Sequence, residues 1–201
     1  MQAVATPDGG FALAFAARDV IGSPGHVFAQ RFSATGLASG PVVTVTSRTG
    51  EQRQPRLAAL ADSSVVLAWL QAADAGSVYM RRINAMGAAV GAEVQVGSTS
   101  STGAAYVALA GLPDNTLALG WISEASSSDS SGVLNWQLLG IDGVPQSNPG
   151  RAVIAAADGA PRGLSATARP PGAGFDLFVE TLQGAPRGET QRLLNYGAGP
   201  D

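Results

Sequence analysis

The chain has 201 residues, 45% of them hydrophobic and 13% charged, enough apolar content for one sizeable domain. Its net charge of −3 gives no electrostatic basis for binding nucleic acid or an anionic membrane. Cysteine and lysine are both absent, so disulfides, thiolate nucleophiles, zinc–thiolate sites, Schiff bases on lysine and phosphate-loop lysines are excluded.

Residues 1–16, MQAVATPDGGFALAFA, lack a basic start and are interrupted by Asp8-Gly9-Gly10, so they do not read as a secretion signal. They predict two strands joined by an aspartate turn. A third strand follows and ends in QRFSATG (30–36). The next stretch predicts RLAALA (56–61), SVVLAWLQ (64–71), SVYMRRIN (77–84) and AEVQV (92–96) as four short strands. PDNTLALGW (113–121) and QLLGIDG (137–143) repeat two of the same landmarks, and AVIAAADGA (152–160) reads as a strand followed by a loop. GAGFDLFV (172–179) and QRLLNYG (191–197) repeat them once more. No stretch keeps a helical apolar period for ten residues or so without interruption, and no apolar run approaches the roughly 20 residues of a membrane span.

The chain is therefore a fourfold repeat. Gly36, Gly87, Gly143 and Gly197 are spaced 51, 56 and 54 residues apart. Each is expected to close a hairpin that needs positive φ. The units run 1–54, 55–104, 105–160 and 161–201, the last lacking its outer strand. In each unit's second strand the two faces differ. Phe11, Leu13 and Phe15, then Val65, Leu67 and Trp69, then Leu117, Leu119 and Trp121, then Phe175, Leu177 and Val179 make a bulky row. The opposite rows are Ala12, Ala14 and Ala16, then Val66, Ala68 and Leu70, then Ala118, Gly120 and Ile122. Stacking each bulky face on a shallow neighbour fills space without voids. The expected fold is all-β, a β-propeller-like array of about four four-stranded blades. The fourth unit carries Asp176, Phe178 and Glu180 on its shallow row. Carboxylates between blades are costly, so the array is expected to be an open or incomplete arc.

The motifs DGGFALAF, VFAQRFSATG and VGAEVQV, in that order, resemble a propeller-like repeat of large bacterial secreted and surface proteins. The resemblance covers nearly the whole chain and is strongest in the first two units. It implies a non-catalytic extracellular repeat region and names no active-site residues. An extracytoplasmic location is the matching expectation.

Propeller ligands sit at the mouth of the axial channel, where the first strands begin. Arg56, Tyr106 and Arg162 start the first strands of units two, three and four and are the candidate ligand-binding residues, suited to a carboxylate or phosphate. Against this, each arginine could simply pair with a loop acid or a backbone carbonyl. The loop SEASSSDSSG (123–132) offers Glu124 and Asp129 but lacks the dense spacing of a calcium loop, so no metal or cofactor is expected. Trp69 and Trp121 belong to the core rows, and Trp136 is expected to be partly buried. His26 stands alone, without a Gly-x-Ser-x-Gly elbow.

The leading expectation is a non-catalytic structural or protein-interaction module, not an enzyme, with another protein chain or further repeats completing the propeller. Strand addition at the edge of the fourth unit is the expected mode of docking. The alternative is a glycan- or anion-binding propeller using the loops at the channel mouth. A third reading is an enzyme working through loop carboxylates such as Asp19, Asp74 and Glu124.

Overall fold

A computed structural model describes residues 1–18, 20–72, 76–98, 104–124, 132–185 and 188–198. Among them the chain is all-β, in four antiparallel sheets. The first sheet holds β1 (Gln2–Ala5), β2 (Phe11–Ala17), β3 (His26–Phe32) and β4 (Val43–Thr44). The second holds β5 (Gln52–Ala59), β6 (Val65–Gln71), β7 (Ser77–Ile83) and β8 (Ala89–Gly97). The third holds β9 (Ala104–Gly111), β10 (Leu117–Glu124), β11 (Gly132–Leu139) and β12 (Gly150–Ile154). The fourth holds β13 (Ala160–Ala168), β14 (Phe175–Ala185) and β15 (Gly188–Ala198). Strand order within each sheet is chain order, so each is a meander. Between β12 and β13 the stretch expected to be loop forms a 3-10 turn, Ala156–Asp158.

In the first three sheets the turn between the first two strands is built by an aspartate. One oxygen of Asp8 accepts from the Gly10 N–H and the Thr6 hydroxyl. Asp62 does the same with the N–H and hydroxyl of Ser64, and Asp114 with those of Thr116. These bonds hold the next residue in the left-handed region: Gly9 at φ 82°, Ser63 at 62° and Asn115 at 64°. The later hairpins turn on Gly36, Gly87 and Gly143, at φ 79°, 84° and 85°. Gly197 departs from the expectation. It pairs with Asp176 inside the long β14–β15 ladder, which runs from Phe175 opposite Ala198 to Ala185 opposite Gly188. The fourth copy of the glycine motif therefore lies in a strand and closes no hairpin.

The sheets stack as the two-faced second strands require. Ala12 and Ala14 share a core with Val65, Leu67 and Trp69. Val66, Ala68 and Leu70 share one with Leu117, Leu119 and Trp121. Ala118 and Ile122 share the third with Phe175, Leu177 and Val179. Each fully buried aliphatic side chain in these layers contributes about 1.5–3 kcal/mol. Sheet contacts follow chain order: β5 lies on β1 and β2, β9 on β5 and β6, β13 on β9 and β10. Among the described residues no sustained contact joins the first sheet to the fourth.

The two outer faces differ. Phe11 stacks on Phe32 at 4.8 Å and Phe15 on Phe28 at 5.6 Å, and this bulky face is only half-buried. On the far face of the fourth sheet, Asp176 is gripped by the guanidinium of Arg169 through two bonds of 2.5 and 2.9 Å. That pairing removes the cost of a lone carboxylate on an otherwise apolar row.

Candidate site at the loop end of the inner strands

The first strands, β1, β5, β9 and β13, run side by side, and three of them are interrupted by an irregularity near their start. The pairing slips between Arg53 and Arg56 in β5, beside Tyr106 in β9 and between Pro161 and Gly163 in β13. Such bulges re-aim side chains at a sheet end.

The ladder fixes how the three sequence-predicted residues relate. Arg56 stands opposite Ala68, Tyr106 opposite Ile122, and Arg162 sits in the slip between Pro161 and Gly163. Ala68 and Ile122 are two positions apart along equivalent strands, so Arg56 is one pleat repeat, about 6–7 Å, from the level of the other two. Arg56 is the structural partner of its neighbouring strand: its Nε donates to the Val107 carbonyl at 2.8 Å. Burial lowers its pKa from the ordinary arginine value, yet arginine keeps its charge at any physiological pH. One sheet earlier, Gln2 occupies the matching register and its Oε1 accepts from the Leu57 N–H at 2.6 Å. Gln2 and Arg56 thus lace successive inner strands together. Tyr106 is half-buried against the third core, and Arg162 is exposed.

A carboxylate that the sequence reading placed only as a face-breaker lies here. Glu180 stands opposite Gly163, and a Cβ on Gly163 would come within 2.9 Å of its Oε2. The missing side chain lets the Glu180 carboxylate lie across the start of β13, next to Arg162. The signal was legible as a glycine facing a glutamate in the ladder, but only once the register is known. Glu124 ends β10 in the adjacent sheet. Asp19, Asp74 and Asp129 lie outside the described residues.

Other polar groups at this end hold the loops. Glu51 accepts from the Gly25 N–H at 2.8 Å and from Arg18 at 3.0 Å, and these two, the N–H first, lower its pKa. Gln52 donates to the carbonyls of Arg48 and Gly50, and Gln71 to that of Thr49. Arg48 lies over the Tyr79 ring, 4.3 Å from its centre. Trp69 and Trp121 are buried and Trp136 partly so, as expected. Among the described residues no three metal-ligating side chains cluster. Glu180 continues the Asp176 row on the far face of the fourth sheet, whereas Tyr106 packs into the core between the third and fourth sheets, so the structure does not bring these two together. An arginine and a carboxylate at a strand end can hydrogen-bond sugar hydroxyls, and a carboxyl group can serve as acid or base.

No family model and no curated protein matches the chain. Solved structures do. A protein of unknown function from Dyadobacter fermentans matches over 96% of this chain, with TM-score 0.65 and 13% identity. The chain spans about half of that protein, 51%. A thermostable family-43 glycoside hydrolase matches over 98% of this chain and 73% of its own, with TM-score 0.63 and 11% identity. The endo-arabinase from Bacteroides thetaiotaomicron matches over 96% and 72%, with TM-score 0.52 and 12% identity. These identities make the likeness one of fold. The matches to two glycoside hydrolases nonetheless correct the expectation, drawn from the repeat resemblance, of a non-catalytic structural module that is no enzyme. In fold, almost the whole chain is similar to propeller-type glycoside hydrolases.

Proposed function

We propose that this chain forms four blades of a propeller that acts on glycans, within a protein that cleaves glycosidic bonds. The observation carrying this is the match of nearly the entire chain to two glycoside hydrolases. The site at the start of β13 supports it. Arg162 would contact the sugar, and Glu180 would act as one of the two carboxyl groups that glycoside hydrolysis uses. Glu124, at the end of β10, is the candidate for the second. An extracytoplasmic setting suits polymeric glycans as substrate.

The propeller is an open arc in this reading, completed by further repeats or another chain. The half-exposed phenylalanine face of the first sheet and the Arg169–Asp176 pair on the last are poorly matched as partners for ring closure. The two hydrolases have five blades, and about a quarter of each lies beyond the match, somewhat more than one blade's share.

Incubation with arabinan, xylan and a panel of aryl glycosides, read by reducing-end release, tests the activity. Hydrolysis that Glu180→Gln reduces at least about a hundredfold is the expected result, in the range for loss of an acid–base group. Hydrolysis unaffected by Glu180→Gln and Glu124→Gln would remove both residues from the chemistry. Absence of hydrolysis across the panel by protein carrying its further repeats would overturn the function.

A further inference from the structure

A cavity of about 520 Å³ opens between the third and fourth sheets, at the aspartate-turn end, opposite to the site above. Leu112, Asp114, Leu138, Gln146, Pro170 and Phe175 line it. Its origin is visible in the repeat. In the first sheet, strand β3 carries Arg31 opposite Ala12. The guanidinium crosses to Asp8 Oδ2 at 2.7 Å and also donates to the Ser63 carbonyl of the second sheet. In the second sheet, Arg82 stands opposite Val66 and donates to Asp62 Oδ2 and, at 2.9 Å, to the Ser64 hydroxyl. The third sheet puts Leu138 in that place, opposite Ala118.

The turn waiting for the guanidinium is unchanged. Asp114 uses Oδ1 for the N–H and hydroxyl of Thr116, at 2.9 and 2.6 Å, as Asp62 does with Ser64. Oδ2, the oxygen that meets arginine in the two earlier sheets, has no hydrogen-bond partner among the described residues, and no salt bridge reaches Asp114 there. The replacement leaves a pocket with a carboxylate at its rim and Leu138, Leu112, Phe175 and prolines as walls. Those walls suit the alkyl stem of an arginine, and the carboxylate suits its head.

We propose that this cavity is a binding site for an alkylguanidinium supplied from outside the chain, taking the place that Arg31 and Arg82 fill internally. The ligand is either an arginine side chain of a peptide or a free guanidinium compound. The inference is independent of the glycan reading, because it concerns the opposite end of the sheets.

Titration by two-dimensional NMR with N-acetyl-arginine amide and with agmatine tests it, with N-acetyl-citrulline amide as the uncharged control. Expected are saturable shifts around Thr116, Leu138 and Phe175 with at least one guanidinium probe and none with citrulline. Tighter binding of acetyl-arginine amide points to a peptide source, and tighter binding of agmatine to a free one. Asp114→Asn should weaken binding about tenfold or more, the scale of a charge-assisted bond. Leu138→Arg should abolish binding while raising Tm, by restoring the internal pair and filling the cavity; this variant guards against loss of fold as the cause. Absence of saturable shifts with both guanidinium probes, equal response to citrulline, or undiminished binding by Asp114→Asn or Leu138→Arg overturns the proposal.

Discussion

Gly120 makes room for Leu177: a Cβ on Gly120 would lie 2.9 Å from Leu177 Cδ2 and 3.1 Å from Cδ1. Leu177 is fully buried in the third core, so its methyls have nowhere to retreat. Gly120→Ala should therefore destabilise by about 1–3 kcal/mol through overpacking, despite the better strand propensity of alanine. Leu177→Ala alone should cost about 2–5 kcal/mol. In the double variant the two costs should not add, because each change accommodates the other. Denaturant melts of the four proteins give the coupling, and simple additivity would count against direct packing.

Arg56 is predicted to act through Val107. Arg56→Ala removes the donor to a partly enclosed carbonyl and should lower stability by about 1–2 kcal/mol. Arg56→Lys should recover little, since a single ammonium does not reproduce the guanidinium's aim. If glycan hydrolysis is present, its rate per folded molecule should change little in Arg56→Ala and fall with Arg162→Ala. The reverse pattern would return Arg56 to the binding site.

Acid should loosen the turns. The pKa values of Asp8, Asp62 and Asp114 are lowered chiefly by the hydroxyls of Thr6, Ser64 and Thr116 respectively, and that of Glu51 chiefly by the Gly25 N–H. A carboxylate with a lowered folded value stabilises the folded state fully above its unfolded pKa. That contribution is lost as pH falls through the unfolded values, 3.8 for Asp and 4.5 for Glu, and on down through the folded ones. Thermal melts should show Tm constant above about pH 5.5 and falling below it. Asp62→Asn should show a shallower fall, and an equal or steeper one would assign the acid sensitivity elsewhere.

The stacking of the sheets was legible because strand period two sorts Phe11, Leu13 and Phe15 from Ala12 and Ala14 without any knowledge of the rest. The hairpin glycines were legible for the same local reason, since Gly36, Gly87 and Gly143 need only their own φ. Gly197 misled because its motif is shared while its surroundings are not: β14 and β15 extend past the usual strand length and absorb it. The candidate site was harder to read. Arg56, Tyr106 and Arg162 are equivalent by their place at a strand start, yet irregularities in β5, β9 and β13 leave Arg56 one pleat repeat from the other two. Glu180 and Leu138 gained meaning only from register, which shows Glu180 facing Gly163 and Leu138 standing where two arginines stand before it.

Methyl NOE spectroscopy on protein labelled at alanine, leucine and valine tests the stacking itself. Cross-peaks should link Ala14 to Leu67, Ala68 to Leu119 and Ala118 to Leu177, each joining one sheet's shallow row to the next sheet's bulky row. Leucine methyls that see only their own sheet, or that a soluble paramagnetic agent broadens as it does exposed ones, would contradict it.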